Sequence, residues 1–413
     1  MDATTKTFLE ILKAALSGQT PVIDRDIPPE EWHELFQMAR IHSLLPLFYE
    51  AVYDIPSVRR EPELLASVKQ GVRQLVIMQA MKTAEFLELN RHLQAAGIRP
   101  LVVKGIICRN LYHMPDHRPS GDEDVLIPPE QFQQCHQAML EFGMHTGELP
   151  EDSRSYEIPY HKAGSPLYIE MHRHLFPPDS SAYGDMNRFF EDVHQRSVAE
   201  ELPEGTVYTL EPTDHLFYLI CHAFKHFLHS GFGIRQVCDI VLYANKYGSR
   251  VDWTRILENC RAIRAENFAA ALFRIGSNYL VFDPDQASYP DIWRQIPVNE
   301  LPMLEDLLCG GLYGDASMSR KHSSSITLDA VAAQKQGRKA KNSLVASAFP
   351  SAASLEGRYP YLKKHPYLLP AAWCSRLWKY ARETRQAQDS NVADALKIGS
   401  ERIELMKEYG ILK

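Results

Sequence analysis

The feature of this sequence that most constrains its fold is a change of hydrophobic period at Gly97. Before that glycine, residues 5–16 and 68–94 place apolar side chains at helical spacing. After it, residues 99–103 (Arg-Pro-Leu-Val-Val) form a short β-branched run that is typical of a buried strand. Residues 122–127 (Asp-Glu-Asp-Val-Leu-Ile) form a second run of this type. The pattern predicts a small sheet inserted between helical segments.

Two further strands are predicted downstream of these runs. Residues 156–160 are the first candidate, and residues 167–172 alternate apolar and polar side chains in the second. A helix that opens at Pro128-Pro129-Glu130 and ends at Gly143 precedes them, since proline and early acidic residues favour a first helical turn. The helical period then returns at residue 213 and continues to about residue 280.

These patterns divide the chain into five predicted regions. An N-terminal helical region covers residues 1–83, an α/β core covers residues 84–205, and a C-terminal helical domain covers residues 206–316. Residues 317–347 are rich in Ser, Lys, Arg, Gly and Gln, and are predicted to form a mobile basic loop or lid. Residues 348–413 are predicted to form a C-terminal helical tail.

Composition excludes several classes of protein. With 413 residues, the chain is long enough for two or three domains. A formal net charge of -7 does not suit a general nucleic-acid binder, which relies on neutralising phosphates. The seven cysteines contain no CxxC pair, and no apolar run approaches the ~18 residues that would span a bilayer. We therefore expect a cytoplasmic protein without a transmembrane segment; the sequence leaves its oligomeric state open.

The second strand carries the residues with the clearest chemical meaning. In an extended segment Asp122 and Asp124 point to one face, while Glu123 points to the other. Two neighbouring carboxylates repel each other, and a divalent cation between them removes that cost. Oxygen ligands suit Mg²⁺ (or Mn²⁺), and Glu170 on a neighbouring strand is the best candidate for a third carboxylate. Such a set is suited to phosphoryl displacement.

A DxD pair alone is weak evidence, because such pairs occur by chance on many solvated loops. Here the pair opens an apolar strand, follows a strand-Lys-Gly-helix unit, and precedes a β-rich segment with another acid. In this context the stretch resembles the uncharacterised nucleotidyltransferases related to DNA polymerase β and to aminoglycoside nucleotidyltransferases. The resemblance rests on residues 101–105, Tyr112, Pro115, Arg118, residues 121–127 and residues 169–173, and extends more loosely over residues 215–253 and 349–376.

The resemblance implies an α+β fold in which a small nucleotidyltransferase-type mixed sheet is flanked by N-terminal and C-terminal helical regions. It implies that Asp122, Asp124 and Glu170 are the catalytic residues and metal ligands. The wider superfamily has Gly-Ser on the helix that cradles the triphosphate, whereas this chain has Lys104-Gly105.

More than one role is open to the residues at and near Lys104-Gly105. Lys104 is expected to supply charge to the phosphates, and Gly105 to let the helix N-terminus approach them. The alternative is a structural Lys104 that pairs with one of the aspartates. Arg118 is assigned to nucleotide binding, and Glu123 is expected either to pair with Arg118 or to remain solvated.

Four histidines lie on one face of the helix around residue 220, namely His215, His222, His226 and His229. A zinc site is conceivable at this spacing, but no carboxylate or cysteine completes it. We interpret the stripe as the lining of a cleft, and assign His222, Lys225 and His226 to nucleotide binding. Arg235 and Asp239 are interpreted as a helix ion pair.

The function expected from these features is metal-dependent transfer of a nucleoside monophosphate from an NTP to a hydroxyl of an unknown acceptor, with release of pyrophosphate. The alternatives are a catalytically silent nucleotide-binding module and a regulatory scaffold with the same fold.

Overall fold

The computed structural model describes residues 1–147, 155–203, 205–311, 318–337, 355, 359–375 and 392–413. The chain divides into two compact units. Unit 1 comprises residues 1–223 and 234–305, and unit 2 comprises residues 224–233 and 306–413. None of the described helices is both long enough and apolar enough to cross a membrane.

Helices account for most of the described chain. They are α1 (Ala3–Leu16), α2 (Pro29–Ile41), α3 (Leu45–Val52), α4 (Pro56–Arg59), α5 (Pro62–Ala95), α6 (Gly105–Arg109), α7 (Phe132–Glu141), α8 (Pro212–His229), α9 (Ile234–Tyr247), α10 (Trp253–Ala262), α11 (Glu266–Tyr279), α12 (Asp291–Arg294), α13 (Leu301–Gly310), α14 (Met318–Lys335) and α15 (Val392–Glu408). Short 3-10 helices cover Pro115–His117, Pro129–Gln131, Gly184–Phe190, Gly248–Arg250, Pro360–Lys363 and Pro366–Leu368.

Six strands form one mixed sheet in unit 1. They are β1 (Leu101–Val102), β2 (Glu123–Leu126), β3 (Glu157–His161), β4 (Tyr168–His172), β5 (Val198–Leu202) and β6 (Gly205–Thr209). Their order is β3-β4-β2-β1-β6-β5, with β2 parallel to β4, β1 parallel to β6, and the other neighbours antiparallel. The expected α+β fold, a mixed sheet flanked by helices, is confirmed.

The register of the sheet separates two faces. Asp124 on β2 pairs with Glu170 on β4, while Val125 pairs with Met171. Val125 and Met171 are buried, and α7 covers that face, where Nδ1 of His136 lies 2.7 Å from the hydroxyl of Tyr160. The opposite face carries Asp124, Glu170 and His172, because alternate residues of a strand share a face.

Two parts of the sheet differ from the sequence analysis. The predicted strands at residues 99–103, 122–127, 156–160 and 167–172 correspond to β1 to β4, although β2 begins at Glu123, so that Asp122 lies just before it. Strands β5 and β6 were not predicted. The division into five regions stays a prediction, and its first boundary, at residues 83 and 84, falls within α5.

The predicted loop at residues 317–347 is wrong where the structure describes it, because residues 318–335 form α14. Its buried face contains small hydroxyl residues such as Ser323 and Thr327, whose side chains donate to backbone carbonyls of the preceding turn. Because most positions of this face lack a large apolar side chain, the sequence of α14 shows only a weak hydrophobic period of the helical type. Residues 338–347 lie outside the described part of the chain.

In unit 2, α14 packs along α15. The half-buried Asp306 accepts from Arg320 of α14, with 2.7 Å between Nη2 and Oδ1, and from Arg402 of α15, with 2.6 Å between Nη1 and Oδ2. Arg320 also donates to the carbonyl of Ser230 at 2.7 Å. These charge-assisted bonds tie the helices of this unit together.

Candidate active site on the central strands

Two carboxylates meet on neighbouring parallel strands. Asp124 and Glu170 occupy paired positions of β2 and β4 and therefore project from the same face. His172 lies two residues beyond Glu170, so it shares that face. Ligand atoms of Asp124, Glu170 and His172 all lie within 4.8 Å of one another. These three residues form a group that can hold a metal ion.

His172 is a site residue that the sequence analysis did not assign. Its Nε2 lies 3.1 Å from Oδ1 of Asp124 and 3.8 Å from Oε2 of Glu170. Its Nδ1 lies 3.8 Å from Oε2 of Glu157 on β3. The alternation of residues 167–172 could have identified His172 as a site residue, because it places His172 on the same face as Glu170.

Asp122 is close to the group without belonging to it. It is half-buried just before β2, and burial followed by the charge of Asp124 raises its pKa. The predicted metal set was Asp122, Asp124 and Glu170; the group formed in the structure has His172 as its third member. Asp122 therefore adds negative charge beside the three-residue group.

Lys104 supplies the cation nearest to Asp124. Its Nζ lies 2.9 Å from Oδ2 of Asp124 and 3.0 Å from Nε2 of His222. Burial alone would raise the pKa of Asp124, but the Lys104 ammonium and the hydrogen bond with His172 outweigh it and hold that pKa well below its usual range. The structural alternative for Lys104, a pairing with one of the aspartates, is thus present in the structure.

Glu170 is left with an excess of negative neighbours. Burial, and then the charges of Asp124, Asp122 and Glu157, raise its pKa to about 7. A carboxyl with a raised pKa among other carboxylates is a place where a cation relieves repulsion. Two carboxylates and one imidazole suit Mn²⁺ and also accommodate Mg²⁺, so the residues present fit a divalent cation.

Glu123 is neither solvated nor paired with Arg118, contrary to both expectations. It is fully buried on the opposite face, where Arg109 donates to its Oε1 and the backbone N–H of Ile106 donates to Oε2 at 2.9 Å. A Cβ on residue 105 would overlap the same carboxylate. The N-terminus of α6, which was expected to approach the triphosphate through Gly105, is therefore capped by the protein's own glutamate.

Arg118 also has a different partner from the one expected. Its Nε and Nη2 donate to the two carboxylate oxygens of Asp239 at 2.9 and 2.5 Å, and the hydroxyl of Tyr112 donates to Oδ1 at 2.8 Å. The predicted pair of Arg235 and Asp239 is not the one formed, since Arg235 donates to the carbonyl of Pro119 at 2.5 Å. Arg118 is buried in this network, which gives it a structural role, and its assignment to nucleotide binding stays a prediction.

The backbone that leads into Asp122 is held by buried polar side chains. Lys82 of α5 donates to the carbonyls of Ser120 and Gly121 at 2.5 and 2.8 Å. Gln79 accepts from the backbone N–H of Ser120 at 2.8 Å, and Arg109 donates to Oγ of Ser120 at 2.8 Å. These bonds fix the entry to β2, and none of them was foreseen, because they join residues far apart in the chain.

The histidines of α8 separate into different environments. His215 is buried, with Nε2 2.8 Å from the carbonyl of Val103 and Nδ1 3.0 Å from Oγ1 of Thr209. His222 reaches the carboxylate site, where its Nε2 lies 3.0 Å from Nζ of Lys104. Among the residues that the structure describes, the four histidines do not form a three-ligand metal group.

Lys225 and His226 follow on α8, where both are half-buried. They belong to unit 2, as does His229. Their assignment to nucleotide binding stays a prediction.

A family model described as "Uncharacterised nucleotidyltransferase" matches residues 28–280. The match includes all six strands and the carboxylates of the site, and it ends before residues 349–376, where a looser resemblance was expected. No curated protein and no solved structure is significantly similar to the chain. Because the matched segment covers more than half of the sequence, the chain belongs to this uncharacterised nucleotidyltransferase family.

Proposed function

We propose that the protein is a metal-dependent nucleotidyltransferase that moves a nucleoside monophosphate from an NTP to a hydroxyl of an acceptor and releases pyrophosphate. The observation that carries this proposal is the in-register pairing of Asp124 with Glu170, together with the 4.8 Å grouping that includes His172, in a chain of this family.

In this proposal Asp124, Glu170 and His172 hold Mg²⁺ or Mn²⁺, and Asp122 contributes a further negative charge. The cation, when bound, neutralises charge on the phosphates and polarises the reacting oxygens. The burial of Asp124 keeps competing water away from its carboxylate. The strands hold the ligands in place before substrate arrives, which limits reorganisation during the reaction.

Lys104 has two successive roles in this proposal. As the structure stands, its ammonium neutralises Asp124. With Asp124 engaged as a metal ligand, Lys104 would be available to the triphosphate, with His222 as its neighbouring partner.

The silent nucleotide-binding module is kept as a second candidate, because two observations favour it. The helix N-terminus at Gly105 is capped by Glu123, and Asp124 is already neutralised by Lys104. Such a module would be stabilised by NTP with Mg²⁺ or Mn²⁺ but would release no pyrophosphate.

Pyrophosphate release from each of the four NTPs, with Mg²⁺ or Mn²⁺, separates the two candidates. We expect release by the native protein and loss of release in Asp124→Asn and Glu170→Gln. Glu141→Gln, an exposed change on α7, is the matched control and should keep the activity. A thermal-shift measurement on the same proteins reports binding alone. Stabilisation without release in the native protein would support the silent module, and no stabilisation would favour the regulatory scaffold.

A further inference from the structure

A cavity of about 290 Å³ lies in unit 1 where β2 and β4 end. Its apolar wall includes Leu126, Leu175 and Phe190, and its polar side chains include Arg173, Glu191 and His194. Small-molecule sites usually span ~300–1,000 Å³, so this cavity fits one small ligand and not a polymer.

The wall of the cavity is held in place by the chain itself. The side chain of Asn187 accepts from the N–H of Phe176 at 3.0 Å and donates to its carbonyl at 2.7 Å. It also donates to the carbonyl of Gly184 at 3.1 Å. A Cβ on residue 184 would lie 2.7 Å from the carbonyl oxygen of Pro177, so the close approach requires glycine. The cavity is therefore formed before any ligand binds.

The cavity and Lys104 lie in opposite directions from Asp124 along β2. Leu126 is two residues beyond Asp124, about 7 Å along the strand at ~3.3 Å per residue, and on the same face. Strand β1 runs antiparallel to β2, with Val102 beside Val125 and the N–H of Val103 donating to the carbonyl of Asp124 at 3.2 Å. The chain then continues toward the start of β2, where Lys104 is located.

This arrangement matches the geometry of an in-line displacement, in which the attacking oxygen and the leaving group lie on opposite sides of the phosphorus. With the triphosphate on the Lys104 side, the acceptor hydroxyl has to approach from the side of Leu126. We propose that the cavity is the acceptor site, and that the acceptor is a small polyhydroxylated molecule with one apolar face. This inference rests on the proposed nucleotidyl transfer.

The chemistry of the lining indicates that class of acceptor. The apolar side chains suit the carbon face of a ring, and the polar ones offer hydrogen-bond donors and acceptors to several hydroxyls. The charges of Arg173 and Glu191 offset each other, so the lining favours a ligand without a net charge. Burial lowers the pKa of His194, so its neutral imidazole offers one donor and one acceptor at pH 7.

Binding is tested on the full-length protein by saturation-transfer NMR with myo-inositol and D-glucose as probes. Cyclohexanol, which places one hydroxyl on an apolar ring, is the comparison ligand. His194→Trp fills the cavity, and Glu191→Ala removes an exposed hydrogen-bond acceptor without touching the core. The matched controls are His33→Trp and Glu34→Ala, at exposed positions of α2.

We expect at least one polyol to bind the native protein and both controls, and to bind more strongly than cyclohexanol. His194→Trp should abolish the signal, and Glu191→Ala should weaken binding about fivefold, the factor expected for one ordinary hydrogen bond. Polyol binding that survives both changes would place the acceptor elsewhere. Binding of neither polyol, or equal binding of cyclohexanol, would overturn the assigned class.

The same proteins separate this inference from the function on which it rests. His194→Trp should keep the thermal stabilisation by NTP with Mn²⁺, because the cavity lies away from Lys104. If the native protein binds a polyol in the cavity but shows no stabilisation by any NTP, the nucleotidyltransferase proposal fails while the binding site stands.

Discussion

Nζ of Lys104 lies 2.9 Å from Oδ2 of Asp124, so an ammonium from the chain neutralises the most buried carboxylate of the site. The side chain of Asp124 is 3% exposed and that of Lys104 is 15% exposed, which keeps solvent screening of the pair weak. A divalent cation has to compete with this ammonium for Asp124. Metal affinity and nucleotide affinity should therefore depend on Lys104 in opposite ways.

Lys104→Met tests this dependence. Without the competing ammonium, Mn²⁺ alone should bind more tightly than to the native protein, while NTP in the presence of Mn²⁺ should bind more weakly because a phosphate contact is lost. Isothermal titration calorimetry measures both. Lys69→Met, at an exposed position of α5, should change neither. Weaker binding of both ligands would show that Lys104 only supports the fold.

Asp122→Asn and Asp124→Asn should differ in their effect on the stability of the metal-free protein. Asp122 is half-buried with a raised pKa, so removing its charge relieves repulsion and should leave the melting temperature unchanged or higher. Asp124 is paired with Lys104, and its replacement should cost up to about 3 kcal/mol because the half-buried ammonium loses this carboxylate. Thermal unfolding in EDTA measures both, and equal shifts would contradict the different environments.

The pKa of Glu170 predicts a pH-dependent stability. Its folded pKa of about 7 exceeds that of an unfolded glutamate, so the folded state binds more protons between these values. The metal-free protein should therefore lose stability as pH rises from about 4.5 to 7, by on the order of 1–2 kcal/mol after solvent screening.

Glu170→Gln should remove that loss, which makes the variant more stable than the native protein above pH 7 in EDTA. Urea unfolding at several pH values measures the effect, with Glu141→Gln as the control. Excess Mn²⁺ should reverse the order of the two proteins above pH 7, because the native carboxylate is the better ligand. If the free energies of unfolding of the native protein and Glu170→Gln changed equally with pH in EDTA, the raised pKa of Glu170 would be contradicted.

Glu123→Gln should be strongly destabilising, although Glu123 is adjacent in sequence to two candidate metal ligands. Its carboxylate and the Arg109 guanidinium are both almost completely buried, and breaking such a pair typically costs about 3–5 kcal/mol. Denaturant unfolding of this variant should be compared with Glu88→Gln, at an exposed position of α5. A stability equal to that of the control would mean that the pair contributes nothing.

Gly105→Ala should cost more than Gly97→Ala. Both glycines have positive φ, 44° and 79°, so both alanines introduce backbone strain. Only residue 105 also places its Cβ against the Glu123 carboxylate, whereas nothing lies within 4 Å of a Cβ on residue 97. We expect about 1–2 kcal/mol for Gly97→Ala and about 2–6 kcal/mol for Gly105→Ala in urea unfolding. Equal destabilisation by the two substitutions would show that the Glu123 carboxylate moves aside without a measurable loss of stability.

The sequence predicts the strands of the site well and their polar partners poorly. Alternation located β2 and β4, and with them the face shared by Asp124 and Glu170, because a period of two follows directly from strand geometry. The same rule placed Glu123 on the opposite face correctly. Alternation could not show that the rest of the protein also buries this second face. A carboxylate buried there needs a partner, and Arg109 is that partner.

The remaining errors come from pairings between distant residues. The place of strand β6 beside β1 depends on a parallel pairing of Leu101 with Tyr208, which local pattern does not encode. Arg118 was one expected partner of Glu123, but it pairs with Asp239, 121 positions away. Local sequence restricts which face a side chain takes, but contacts made by folding decide whether a charge is available to a ligand.

The Glu123 carboxylate fills the space above the α-carbon of residue 105, and this has an evolutionary consequence. A residue with a side chain at position 105 requires a smaller residue at position 123. Losing the carboxylate at 123 removes the steric demand for glycine at 105, although the positive φ of 44° still favours glycine there. Related sequences should therefore show the two positions changing together, with Gly-Glu as one compatible combination. A relative that replaces both can free the N-terminus of α6 for a phosphate, so this pair of positions would mark where members of the family differ in how they bind the nucleotide.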